Sequence, residues 1–253
     1  MVEDNERYRG RYIALKKGYD KLRNDNPYLI VPSLGDLVLT KPIQVLVDGV
    51  QALRKEWLIA SIISLESPLF TQLAEGWRAL KEEELFQMLP SDPEAAITST
   101  SAATKVAILD RATTVFRCNA VGCGKYLFYP YVLTHPCASS PTFQPLTSAP
   151  AKEQDHSDAP TPFAYATLPL LPEACRVVDS VPWNSGGNRI FFDPEASAHA
   201  KAIVEACGLD PAYATAADIV MMNLTFECVT CRSSGEGEMP RMRWPQVVST
   251  LQV

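Results

Sequence analysis

Two short pairs of cysteines constrain this chain more than any other feature of its sequence. Cys118 and Cys123 form the first pair, Cys228 and Cys231 form the second, and each pair begins two residues after a phenylalanine. Two cysteines with two to four residues between them let their thiolates converge on one tetrahedral ion, and two such pairs supply the four ligands of a structural zinc site. The sequence therefore predicts one shared Zn²⁺ ion bound by all four of these cysteines.

The rest of the composition is typical of a globular protein that works inside a cell. The N-terminus lacks the basic start and apolar stretch of a signal peptide, and the most apolar run, residues 57–65, is far shorter than the ~18 residues of a membrane-spanning helix. Cysteines in short pairs in a reducing compartment are more often metal ligands than disulfides. We therefore expect an intracellular protein, cytoplasmic or nuclear, without membrane attachment. The net charge of −6 disfavours nucleic acid as a partner.

Residues 1–112 are predicted to form a helical region. Large apolar side chains recur every three or four positions over residues 4–24, which predicts an amphipathic helix. Further helices are predicted to begin after Ser33, Thr40 and Ser67, whose hydroxyl groups suit the cap position. No catalytic signature occurs in this region.

Residues 113–253 are predicted to form a smaller, cysteine-rich α+β region, so the fold class of the whole chain is α+β. β-branched and aromatic residues at 114–118 predict a strand that leads into the first cysteine pair, and residues 189–192 predict a second strand. Asp193, followed by a proline, predicts a helix start, and Thr215 with an aspartate three residues later predicts a capping box.

A proline-rich segment, residues 138–172, interrupts this second region. Seven prolines lie between Pro141 and Pro172, among serines, threonines and alanines. Such a composition buries too little apolar surface to offset the entropy lost on ordering, so we predict a disordered insertion. The long stretch between the two cysteine pairs does not prevent a shared site, because the entropy of loop closure rises only logarithmically with length.

A local metal site competes with the shared one. His135 follows the first cysteine pair at nearly the spacing of a two-cysteine, two-histidine finger, and Cys137 lies two residues further on. A site built from the first pair with His135 or Cys137 would leave the second pair without partners, which favours the shared site. The remaining alternative is that the cysteines are buried free thiols and bind no metal.

The predicted function is a non-enzymatic protein-interaction module. Four thiolates leave no open position on zinc, which makes the ion structural, and the sequence contains no hydrolase, phosphate-loop or dinucleotide-binding motif. One alternative is a nucleic-acid-binding zinc protein that uses the basic and aromatic residues Arg241, Arg243 and Trp244. A more distant alternative is a zinc-dependent hydrolase that uses His135.

Seven short blocks within residues 104–244 add a resemblance. They are residues 110–118, 127–130, 132–137, 190–197 (Ile-Phe-Phe-Asp-Pro-Glu-Ala-Ser), 207–211 (Cys-Gly-Leu-Asp-Pro), 226–231 and 242–244. In this order they resemble a group of uncharacterised zinc-finger-like proteins of mushroom-forming (basidiomycete) fungi, many of which carry an F-box upstream. The resemblance implies a bound metal and an adaptor-like role in ubiquitin ligation. This chain departs from the group because no Leu-Pro-x-Glu start of an F-box occurs before residue 50.

Overall fold

The structure, a computed structural model, describes residues 2–48, 62–90, 101–146, 172–227 and 242–244. It confirms the predicted α+β class. The helices are Val2–Asp25 (α1), Leu34–Val38 (α2), Lys41–Asp48 (α3), Pro68–Gln87 (α4), Ala102–Leu109 (α5), Glu173–Val178 (α6), Pro194–Ala206 (α7) and Ala216–Met221 (α8). The strands Phe116–Cys118 (β1), Tyr126–Leu127 (β2) and Ile190–Phe192 (β3) form one sheet in the order β2-β1-β3. Strands β1 and β2 are antiparallel, with Phe116 opposite Leu127.

Local capping chemistry places the helices where the sequence predicts them. Ser33 caps α2, because its hydroxyl oxygen accepts a hydrogen bond from the Asp36 N–H at 3.0 Å. Asp193 caps α7 in the same way, and Thr215 forms the predicted capping box at the start of α8. Helix α3 begins directly after Thr40, as predicted. The apolar pattern that predicts this helix runs on to Leu65; residues 49–61 lie outside the described residues, and residues 63–65 are not helical.

The chain folds as two compact units. The first consists of residues 1–81, 119–123 and 133–190, and the second of residues 82–118, 124–132 and 191–253. In the first unit, α1 and α2 each pack against α3 and α6. Its core is formed by buried apolar side chains, among them Tyr12, Leu15, Leu37, Val38, Phe70, Cys175 and Val178. In the second unit, one face of α7 packs with α8 and β2 around a core that includes Val115, Phe128, Ala200, Val204, Ile219 and Trp244.

Three hydrogen bonds link helix α2 and its cap residue to residues 180–183, a distant segment of the first unit. The Ser33 hydroxyl shares its proton between the Asp36 carboxylate at 2.6 Å and the Val181 carbonyl at 3.0 Å, although Ser33 and Val181 are 148 positions apart. The Gly35 N–H donates to the Ser180 hydroxyl oxygen at 3.0 Å. The Trp183 N–H donates to the buried Asp36 carboxylate at 2.9 Å. These bonds fix the path of residues 180–183.

Burial sets the titration of Asp36. Removal from water raises the pKa of the Asp36 carboxyl above its usual range, against the opposing effects of the Lys81 charge and of the hydrogen bonds from Ser33 and Trp183. The folded pKa therefore lies above that of the unfolded chain, so the folded protein binds the proton more tightly. The resulting stabilisation is fully present below the unfolded pKa of about 4 and is lost as the pH rises through the folded pKa.

We expect Asp36→Asn to remove this pH dependence while keeping an oxygen acceptor for the Trp183 N–H. Urea unfolding of both proteins at pH 4, 5, 6 and 7 gives the free energy of unfolding of each. The difference, wild type minus variant, should fall as the pH rises, because only the wild type must hold a buried carboxylate at neutral pH. Other titrating groups are common to both proteins and cancel in the difference. A difference that stays constant with pH would contradict the prediction.

The first residues of the predicted disordered insertion form backbone hydrogen bonds with other segments of the first unit. The Val181 N–H donates to the Ser139 carbonyl at 3.0 Å, and the Val121 N–H donates to the Gln144 carbonyl at 2.9 Å. Residues 138–146 are therefore an ordered part of the first unit, and the prediction placed the start of the insertion too early. The rest of the predicted insertion, residues 147–171, lies outside the described residues.

Candidate metal centre

Four side chains from one short segment converge on a single point. The ligand atoms of Cys118, Cys123, His135 and Cys137 all lie within 4.8 Å of one another. The Cys123 Sγ and the His135 Nε2 are 3.4 Å apart. In a tetrahedral zinc site with Zn–S bonds of about 2.3 Å, neighbouring ligand atoms lie ~3.5–3.8 Å apart. The four residues are therefore positioned to hold a metal ion.

A tight turn after β1 brings the first two ligands together. Cys118 is the last residue of β1, and its N–H donates to the Lys125 carbonyl at 3.0 Å. The chain then reverses, and the Cys123 N–H donates to the Ala120 carbonyl at 3.0 Å. Gly122 has a φ of +77°, a left-handed conformation that side chains with a Cβ rarely adopt. A glycine next to the second cysteine therefore lets the chain turn back and point both thiols to the same side.

Two single-turn 3₁₀ helices position the other two ligands. The first covers Tyr131–Thr134 and the second Pro136–Ser139, with His135 between them in extended backbone conformation (φ −66°, ψ 122°). The change from extended to helical backbone after His135 turns the chain, so that His135 and Cys137 reach the same point. Two ligands on one helical face need a spacing of three to five residues. The spacing of two works here because His135 lies outside the helix.

The environment of the cluster is largely closed to solvent. Cys118 is fully buried and His135 is 8% exposed, whereas Cys123 and Cys137 are half-buried. None of the five cysteines within the described residues forms a disulfide. Buried thiolates are costly unless a cation offsets their charge. Three sulfur ligands and one imidazole in a compact arrangement are the ligand set of a structural zinc site.

The other predicted site residues are placed differently. Cys228 and Cys231 lie outside the described residues, so the shared four-cysteine site stays a prediction. The structure brings the first cysteine pair together with its two competing ligands, and these four are positioned to hold a metal ion without the second pair. Trp244, part of the predicted nucleic-acid-binding cluster, is 2% exposed and packs with its ring centroid 5.6 Å from that of Phe128. Its ring is therefore not available to stack on a base.

Two further cysteines lie apart from the cluster. Cys175 is buried in the core of the first unit, where burial raises the pKa of its thiol to about 11, with a smaller contribution from the Asp36 charge. Cys207 is the C-terminal cap residue of α7, and burial raises the pKa of its thiol as well. Thiols with raised pKa values are poorly ionised at neutral pH, which suits core packing rather than metal binding or nucleophilic chemistry.

Within the part of the chain that the structure describes, no helix is both long enough and apolar enough to cross a membrane.

Comparisons with known proteins identify no family for this chain. The resemblance to the fungal zinc-finger-like group stays a prediction. No protein-family model, no curated protein and no solved structure matches this chain.

Proposed function

We propose that Cys118, Cys123, His135 and Cys137 bind one structural Zn²⁺ ion and that the chain is a non-enzymatic protein-interaction module. The observation that carries this proposal is the convergence of the four ligand atoms to within 4.8 Å of one another. Three thiolates and one imidazole satisfy the tetrahedral preference of zinc and leave no position for a water molecule. A zinc ion held in this way does not activate water, so its role is to stabilise the fold.

The ion would stabilise a segment that has little regular structure of its own. The strand β1 has three residues, and the two 3₁₀ helices that follow have four each. Elements this short bury too little surface to hold their conformation alone. Zinc binding would join the end of β1 to the second 3₁₀ helix and hold the turns between them. Binding residues lie disproportionately on loops that a rigid scaffold positions, so turns held in place by a bound metal ion are suited to contact a protein partner.

The resemblance to proteins that carry an F-box supports an adaptor-like version of this role. An adaptor holds a partner and performs no chemistry, which agrees with a closed metal site. We propose on this basis that the partner is another protein rather than a nucleic acid. The burial of Trp244 and the net charge of −6 support the same choice.

The test begins with elemental analysis of the purified chain, for which we expect one zinc ion per molecule. Cobalt substitution should then give the intense d–d bands of a tetrahedral site together with thiolate charge-transfer bands. Immobilised zinc-loaded protein should retain a specific partner, and zinc-free Cys137→Ser protein should not retain it. Absence of zinc, or turnover of a substrate that is lost when the metal is removed, would contradict the proposal.

A further inference from the structure

A buried arginine lies beside the metal-binding cluster, in the same compact unit as three of its ligands. Arg189 is 8% exposed, and its guanidinium group donates hydrogen bonds only to backbone carbonyls among the described residues. Nε donates to the Ser185 carbonyl at 3.1 Å, and Nη1 donates to the carbonyls of Cys137 at 3.3 Å and Ser140 at 2.5 Å. Its charged group lies 4.6 Å from the centre of the Phe143 ring.

This arrangement lacks the usual neutralising group. Arginine is seldom so deeply buried unless a carboxylate pairs with it, because removal of the charge from water costs several kcal/mol. Among the residues that the structure describes, no carboxylate forms an ion pair with Arg189, and the guanidinium contacts carbonyl oxygens instead. One of these is the carbonyl of Cys137, whose thiol belongs to the metal-binding cluster. Arg189 therefore lies directly beside a metal-ligand residue.

The charge of the zinc-loaded cluster matches that of the arginine. Zn²⁺ with three thiolates and a neutral imidazole carries a net charge of −1. A net charge in a site of low dielectric constant is costly unless an opposite charge lies close by. Arg189 supplies one positive charge, and its hydrogen bonds to Cys137 and Ser140 also hold the second 3₁₀ helix in place.

We propose that Arg189 is the counter-cation of the metal centre, which offsets the single negative charge of the zinc–thiolate cluster and fixes the orientation of Cys137. The inference rests on the proposed zinc site. Arg189 is a positioning residue, because it contacts the carbonyl of a ligand residue and not the ion. Groups that orient and balance metal ligands commonly contribute 10- to 100-fold to metal affinity.

Zinc affinity of the full chain, measured by competition with a chromophoric chelator under reducing conditions, tests this inference. We expect Arg189→Gln to bind one zinc ion 10- to 100-fold more weakly than the wild type. Arg189→Lys keeps the positive charge but loses the planar guanidinium group with its several N–H donors. The zinc affinity of this variant should therefore lie within tenfold of that of the wild type. A purely structural role of the carbonyl hydrogen bonds would weaken both variants alike. Arg176→Gln, at an exposed arginine paired with Glu173, is the matched control and should bind zinc like the wild type.

The outcomes separate the two proposals. A wild-type chain that binds no zinc contradicts the proposed function itself. A wild-type chain that binds zinc with the same affinity as Arg189→Gln contradicts only the role of Arg189, as do Lys and Gln variants that are equally weak. Circular dichroism of each variant shows whether it folds. Should Arg189→Gln not fold, Arg189→Lys decides alone, and a loss of affinity of tenfold or more in that variant overturns the inference.

Discussion

Replacing Cys137 with serine is expected to abolish stable zinc binding and to lower the thermal stability of the protein. Serine is nearly the same size as cysteine, but its hydroxyl is not ionised at neutral pH and is a poor zinc ligand. Loss of one ligand leaves three and opens a coordination position to water. Once the ion is lost, the two remaining thiolates have no cation to offset their charge in a buried site, which is unfavourable. A ligand present at 1,000 times its dissociation constant stabilises the folded state by about 4 kcal/mol, so a loss of this order is expected at saturating zinc.

The choice of Cys137 distinguishes the two possible ligand sets. In the shared site predicted from the sequence, Cys137 has no role, whereas Cys228 and Cys231 are both essential. In the cluster that the structure describes, Cys137 is essential, and Cys228→Ser should keep full zinc occupancy. Cys118 belongs to both sets, so Cys118→Ser should lose zinc in either case. Elemental analysis of the variants, purified under reducing conditions, gives the zinc content of each.

A matched control comes from Cys207, which is the C-terminal cap residue of α7 and lies outside the cluster. Cys207→Ser should keep one zinc ion per chain and unfold at nearly the temperature of the wild type. Full zinc occupancy in Cys137→Ser, together with its loss in Cys228→Ser, would establish the shared four-cysteine site instead. Loss of zinc in both variants would mean that the metal site depends on both segments.

The structure confirms the features that depend on neighbouring residues in the sequence. Ser33, Asp193 and Thr215 cap their helices as expected, because a cap is a hydrogen bond between a side chain and a backbone N–H two or three positions away. The convergence of the first cysteine pair is local in the same sense. Spacing and residue type were sufficient to predict both kinds of feature.

Features that depend on backbone direction or on distant contacts could not be predicted in this way. His135 and Cys137 reach one point because the backbone changes conformation between them, which no spacing rule for a single helix anticipates. Residues 138–146 are ordered because they bond to the Val121 and Val181 segments, contacts that their composition does not reveal. Nothing in the sequence around Arg189 marks it as buried beside a metal site.

The close approach of α2 to the Val181 segment gives the second large prediction, at Gly35. A Cβ atom added to Gly35 would lie 2.1 Å from the carbonyl carbon and 2.3 Å from the carbonyl oxygen of Val181. Both atoms belong to the backbone, so no side chain can rotate away to make room. Gly35 lies inside a helix and does not need a left-handed conformation, so the effect of a substitution here is purely steric.

We expect Gly35→Ala to destabilise the folded protein by about 3 kcal/mol or more. Overpacking in a closed core costs about 1–3 kcal/mol, and each buried hydrogen bond that is stretched adds about 1 kcal/mol. Separation of α2 from the Val181 segment strains three such bonds, from Ser33, Gly35 and Trp183. Urea unfolding at a fixed zinc concentration measures the change in the free energy of unfolding.

Gly76 provides the matched control for this substitution. It lies in the middle of α4, is exposed, and a Cβ atom there meets nothing within 4 Å. Alanine has a higher helix propensity than glycine, so Gly76→Ala should stabilise the protein by up to about 1 kcal/mol. The same chemical change is thus expected to have opposite signs at the two positions. A Gly35→Ala protein as stable as the wild type would show that α2 does not approach the Val181 backbone this closely.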